Sequence, residues 1–232
     1  MRTGQPPRVT PKADTVKVGV FEPQRGYRGA PLTFLGETKT WRTDAVLDKI
    51  LQQDATAPFI VTRLLTHFVT PTPSSAYVER LAAGYRRSRY DTKALLRDIL
   101  TSAEFTAADT YRALIKSPTE LMIHTAKALG DRTLTRLVLG SGQGMGQTLF
   151  DPPSVGGWPE NESWVSSNTM LARANFVTSA VQAVKRLPSA GNAHNTQIDG
   201  VMSAQTLKLL NEAADDRRRW SILLASPEFQ LK

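Results

Sequence analysis

The densest grouping of chemically able side chains lies between residues 145 and 164. Asp151, Trp158, Asn161, Glu162 and Trp164 stand there among Pro152, Pro153, Pro159 and the adjacent Gly156 and Gly157. Prolines fix the backbone and glycines permit tight reversals, so this stretch reads as an ordered loop without regular ladders. A tryptophan in such a loop either plugs a core or offers an aromatic platform. Plugging is the preferred reading, because a buried indole contributes so much to packing. As a platform, Trp158 and Trp164 would stack on a sugar or another ring, with Asp151, Asn161 and Glu162 supplying hydrogen bonds. A hydrolase would need two of these carboxylates to converge on one bond as acid and base.

Other reactive groups are sparse. Cysteine is absent, which removes disulfides, thiol nucleophiles and thiolate metal sites together. His67, His124 and His194 are far apart and match no ligand spacing, so no metal is expected, and His67 reads as a hydrogen-bonded structural residue. Ser141 lacks the Gly-x-Ser-x-Gly order of a nucleophile elbow. The run Gly140-Ser141-Gly142-Gln143-Gly144-Met145-Gly146 fails the dinucleotide fingerprint on spacing and has no alternating β–α context. It reads as a link or as backbone needing positive φ, and no cofactor is implied. No catalytic residue is assigned, and the balance falls against an enzyme.

The chain has 232 residues, 41% hydrophobic and 22% charged, enough to bury a core and too apolar for global disorder. Its 29 basic and 21 acidic residues give a net charge of +8. Residues 1–100 hold 16 of the basic and 9 of the acidic residues, so the surplus is concentrated there. A basic region suits an anionic polymer. Nucleic acid is disfavoured, since the best candidate, Tyr85-Arg86-Arg87-Ser88-Arg89-Tyr90, reads as an ordinary solvated helix end. No apolar run reaches the length of a membrane span. The first residues show no signal-peptide pattern, which as the chain stands suggests the cytoplasm.

These candidates must be positioned by helices. Residues 1–14, with Pro6, Pro7 and Pro11, read as irregular. Val16, Val18 and Val20 alternate like a short strand, and a turn-rich stretch leads to Thr33-Phe34-Leu35-Gly36, giving a short N-terminal β-hairpin. From residue 43 the pattern is helical. Thr43, Thr56, Ser74 or Ser75, and Asp91 read as caps of four helices. Ser117-Pro118-Thr119-Glu120 is a capping box with proline at N1, and Gly130 suits the C′ position. A short helix follows over Leu134–Leu139, a long one from Asn168 towards Pro188, a surface loop over Ser189–Gly200, and two helices after Ser203. Ile99–Phe105 echoes Leu223–Phe229, each a helix end whose phenylalanine is expected to tuck onto the core. The expected fold is mainly α: a multi-helical domain over 15–232 with a short β-hairpin and a long Pro/Gly/Trp-rich loop.

The segment Gly146-Gln147 to Phe150-Asp151-Pro152-Pro153-Ser154-Val155-Gly156-Gly157-Trp158-Pro159, with Trp164 and Leu171-Ala172-Arg173-Ala174-Asn175-Phe176, resembles the bacterial Domain of Unknown Function 1800 family. Phe34-Leu35-Gly36, Lys116–Leu121 and Ser226-Pro227-Glu228-Phe229 extend the likeness across roughly 15–232. The resemblance implies an α-rich protein without an established activity, whose relatives are often exported. Such relatives are about twice as long, and their first half has no counterpart here, so the chain reads as a C-terminal portion. Helix faces left uncovered by that missing half favour a protein partner or a homo-oligomer. The expectation is therefore a non-catalytic helical binding or assembly module. An envelope- or carbohydrate-directed hydrolase and a basic nucleic-acid binder are the alternatives.

Overall fold

The computed structural model describes residue 22 and residues 24–232. These form ten α-helices and one two-stranded antiparallel hairpin, and 56% of them are helical. The strand expected at Val16–Val20 lies outside the described residues. By its internal contacts the chain divides into two units, Met1–Gln53 and Asp54–Lys232, a boundary that the sequence reading does not mark.

In the first unit, β1 (Leu32–Phe34) pairs with β2 (Glu37–Lys39) in the register Leu32↔Lys39, Thr33↔Thr38 and Phe34↔Glu37. Leu35 and Gly36 both take positive φ, 46° and 79°, as a two-residue turn matched to strand twist demands. Phe34 meets Trp41 edge to face at 5.3 Å, and the Trp41 indole donates to Leu32 O at 2.8 Å. Glu37 bridges Lys39 and Lys49, which joins the hairpin to α1 (Thr43–Leu51). Arg42, not Thr43, is the residue that precedes α1, and no side chain caps it.

The second unit holds two apolar clusters. The first is built by α2 (Thr56–Phe68), α3 (Ser75–Arg87) and α4 (Thr92–Leu100) around Val61, Leu65, Leu81, Leu95 and Ile99. Ser74 accepts from Tyr77 N–H, and Asp91 from the N–H groups of Lys93 and Ala94, so orphan donors at both helix starts are met. Thr56 instead sits inside α2, whose start has no side-chain cap.

The second cluster gathers α5 (Pro118–Leu129), α6 (Thr135–Ser141), α7 (Ser167–Ala183), α8 (Ala193–Ile198), α9 (Ala204–Asn211) and α10 (Asp216–Ala225) around Leu121, Phe176, Trp220, Leu224 and Phe229. The capping box of α5 is complete, and Gly130 closes the helix at φ 66°. Ser166, two residues earlier than expected, caps α7. The stretch read as a surface loop, Ser189–Gly200, contains α8 and buries Ala190, Ala193 and Ile198. Its polar Asn192-Ala193-His194-Asn195 run hides the few apolar residues that dock it.

Both copies of the internal echo adopt one geometry. Ser102 Oγ accepts from Phe105 N–H, and Ser226 Oγ from Phe229 N–H, each at 3.2 Å. The following glutamates tie each turn back to the preceding helix pair, Glu104 to Arg80 and Glu228 to Ser203 and Thr206. Phe229 is fully buried and Phe105 packs on the first cluster, as expected of phenylalanines that tuck inward.

Candidate functional site

A cleft of about 480 Å³ opens between α2, the start of α5 and the loop that precedes α7. Arg63, Thr66 and His67 of α2 line one side. Ser117, Thr119 and Glu120 line another, and Gln147 with residues 156–161 and Trp164 complete it.

Local sequence fixes each wall. At Gly146 the chain turns with φ 90°, and an added Cβ at Gly142 would lie 2.5 Å from the Gln147 carbonyl oxygen, so both positions suit glycine. The turn delivers Gln147 to α5, where its Oε1 accepts from Thr119 N–H at 2.9 Å and Thr119 Oγ1 at 2.8 Å. Asn161 sits at φ 51°, a conformation asparagine tolerates better than most residues, and its Oδ1 accepts from Ile115 N–H at 3.1 Å. Because a backbone N–H can only donate, both amides are oriented with oxygen toward the protein and nitrogen away from it.

The last wall comes from the C-terminal residues. Lys116 N–H donates to Gln230 O at 2.8 Å, and Lys232 N–H to Leu114 O at 2.8 Å, forming a short antiparallel bridge. Three cations hold this segment through carbonyl oxygens. Arg112 reaches Glu228 O and Leu231 O, Lys116 Nζ reaches Phe229 O at 2.6 Å, and Arg173 reaches Gln230 Oε1 and Lys116 O. Burial lowers the Lys116 ammonium to about 8, with the Arg112 charge adding to the effect. Lys232 is thereby placed to pair with Glu120 across the cleft wall. Burial alone would raise the Glu120 carboxyl, but Lys232 and the Ser117 N–H outweigh it and hold it below the usual range.

Of the residues singled out from sequence, Trp158, Asn161 and Trp164 meet at this cleft. Trp164 is buried at 4% exposure and plugs the core, while Trp158 is half-buried. Asp151 and Glu162 are both exposed and do not line the cleft. Its carboxylates are Glu120 and Glu160, the latter 3.9 Å from His67 Nδ1. His67 is thus a solvent-exposed rim residue rather than a structural one. Arg63 and Lys232 also escape sequence reasoning, and Gln147 enters it only as part of the Gly146-Gln147 landmark, since nothing in their local pattern marks the cleft that folding assembles around them. Among the described residues no group of His, Asp and Glu could hold a metal ion, and no helix is long and apolar enough to cross a membrane.

The profile of the proteins of unknown function termed DUF1800 matches residues 8–231, nearly the whole chain. The chain belongs to the DUF1800 family. No curated protein and no solved structure matches it. The Trp158 loop and the Ser-Pro-Glu-Phe turn of this DUF1800 chain are therefore the cleft wall and the clasp that sets its neighbour, Lys232, in place.

Proposed function

We propose that the protein is a non-catalytic helical binding module whose cleft takes a polar, ring-bearing ligand such as a sugar. One observation carries this reading: a half-exposed Trp158 shares the cleft with amide side chains already fixed in orientation by the protein. An aromatic face with preset polar groups is what ring recognition requires, and the preorganisation lowers the entropic cost of binding.

The hydrolase alternative finds less support. Asp151 and Glu162 face solvent outside the cleft, and Glu120 is committed to Lys232 and held in its anionic form, unsuited to act as a general acid. Nucleic-acid binding through Arg86, Arg87 and Arg89 finds little either, since Arg86 donates to Asp54 O at 2.6 Å and the flanking Tyr85 is buried with its ring packed edge to face on Tyr90.

A second reading, assembly with a protein partner or another copy, is favoured by the exposure of large apolar residues. Phe59 on α2 is 66% exposed, Leu171 on α7 62%, and Phe150 in the loop 96%.

The test is a tryptophan-fluorescence titration of the whole chain with neutral and acidic hexose oligosaccharides. Saturable binding that Trp158→Ala abolishes supports the binding module. Absence of binding to every member of the panel overturns it.

A further inference from the structure

We infer that the ligand of this cleft carries a carboxylate on its ring, as a uronic acid does. This rests on the binding-module reading and follows from which hydrogen-bonding atoms remain unspent.

Three of the four side-chain acceptors, those of Gln147, Asn161 and Glu120, are committed. Gln147 Oε1 and Asn161 Oδ1 are held by backbone N–H groups, Glu120 by Lys232 and the Ser117 N–H, and Glu160 faces His67 on the rim. The N–H groups at the start of α5 are committed too: Ser117 to Glu120, Thr119 to Gln147, and Glu120 to Ser117 Oγ. The helix end therefore contributes only its dipole.

What remains are donors. Gln147 Nε2 and Asn161 Nδ2 point away from their anchors, and neither they nor the Trp158 indole N–H has a protein acceptor among the described residues. Arg63 lines the same cleft, and its guanidinium pairs with no carboxylate among them. A planar fork of donors sharing a cleft with free amide N–H groups is the complement of a carboxylate, and Trp158 supplies a face for the ring that bears it. Of the two cleft carboxylates, Glu120 is balanced by Lys232, and Glu160, which also opposes an anion, stands opposite His67 at the rim. The neutral hydroxyls of a hexose would use these donors equally well as acceptors, but only an anion uses the unpaired charge of Arg63.

The experiment is isothermal titration calorimetry of the whole chain with three uronic-acid trisaccharides (galacturonate, glucuronate and mannuronate) and with the methyl ester of each. The ester keeps ring and hydroxyls and removes the charge. At least one free acid should bind roughly tenfold tighter than its ester, and Arg63→Gln should erase that difference while leaving the unfolding transition in place. Equal affinity of acid and ester, unaltered by Arg63→Gln, overturns the carboxylate while leaving the binding module standing. Failure of acids, esters and neutral trisaccharides alike overturns both.

Discussion

Gln147 spends a single amide oxygen on both polar groups of Thr119, the N–H at 2.9 Å and the hydroxyl at 2.8 Å. This joins the loop entrance to the first turn of α5 and turns the Gln147 nitrogen toward the cleft. Gln147→Glu keeps an acceptor for both bonds but replaces the free donor with a carboxylate oxygen. Stability should change by less than about 1 kcal/mol, since both bonds to Thr119 survive. Binding of a uronic-acid trisaccharide should weaken by roughly tenfold or more through like-charge repulsion. Urea denaturation and calorimetry on one preparation check both parts.

The helical frame was legible because its signals are local. Ser74, Asp91, Ser117 and Ser203 cap the helices they precede, and the serine-phenylalanine echo marks two equivalent helix ends. Less was legible of the cleft. Trp158, Asn161 and Trp164 stood out through composition, but Arg63 and His67 come from a helix whose apolar residues speak only of core packing. Lys232 reaches the cleft through the 114–232 pairing, a nonlocal contact that no spacing rule announces. Asp151 and Glu162 attract attention by nearness in sequence, yet loop backbone sends both to solvent.

Two glycines in one segment should respond oppositely to alanine. At Gly140, in α6, an added Cβ meets nothing within 4 Å, so Gly140→Ala should stabilise by about 0.5–1 kcal/mol through helix propensity. At Gly142 the same Cβ meets a carbonyl oxygen at 2.5 Å, and Gly142→Ala should destabilise by about 1–3 kcal/mol. Chemical denaturation of the pair checks the sign of each.

Lys116 should leave a mark at alkaline pH. Its folded pKa, about 8, lies below the 10.5 of an ordinary lysine, so between these values the unfolded chain binds the proton and the folded chain does not. Stability contributed by this group therefore rises with pH across that window, is complete above the unfolded value, and is lost as pH falls through about 8. The difference in unfolding free energy between the native sequence and Lys116→Met should grow by roughly 3 kcal/mol over the window, from about 1.4 kcal/mol per pKa unit. Denaturation series at stepped pH give that difference directly, and a flat profile would show that the ammonium is not desolvated in the fold.

The central claim is that a saccharide sits against Trp158. Two-dimensional ¹H–¹⁵N spectra should resolve the indole N–H groups of Trp41, Trp158, Trp164 and Trp220, which occupy distinct surroundings: the hairpin, the cleft, the loop plug and the core, where Trp220 donates to Pro188 O at 2.8 Å. Titration with a uronic-acid trisaccharide should move the Trp158 signal saturably and leave those of Trp41 and Trp220 in place. A Trp158 signal that stays still while the ligand binds elsewhere, or that moves no more than the Trp220 signal, would contradict the account.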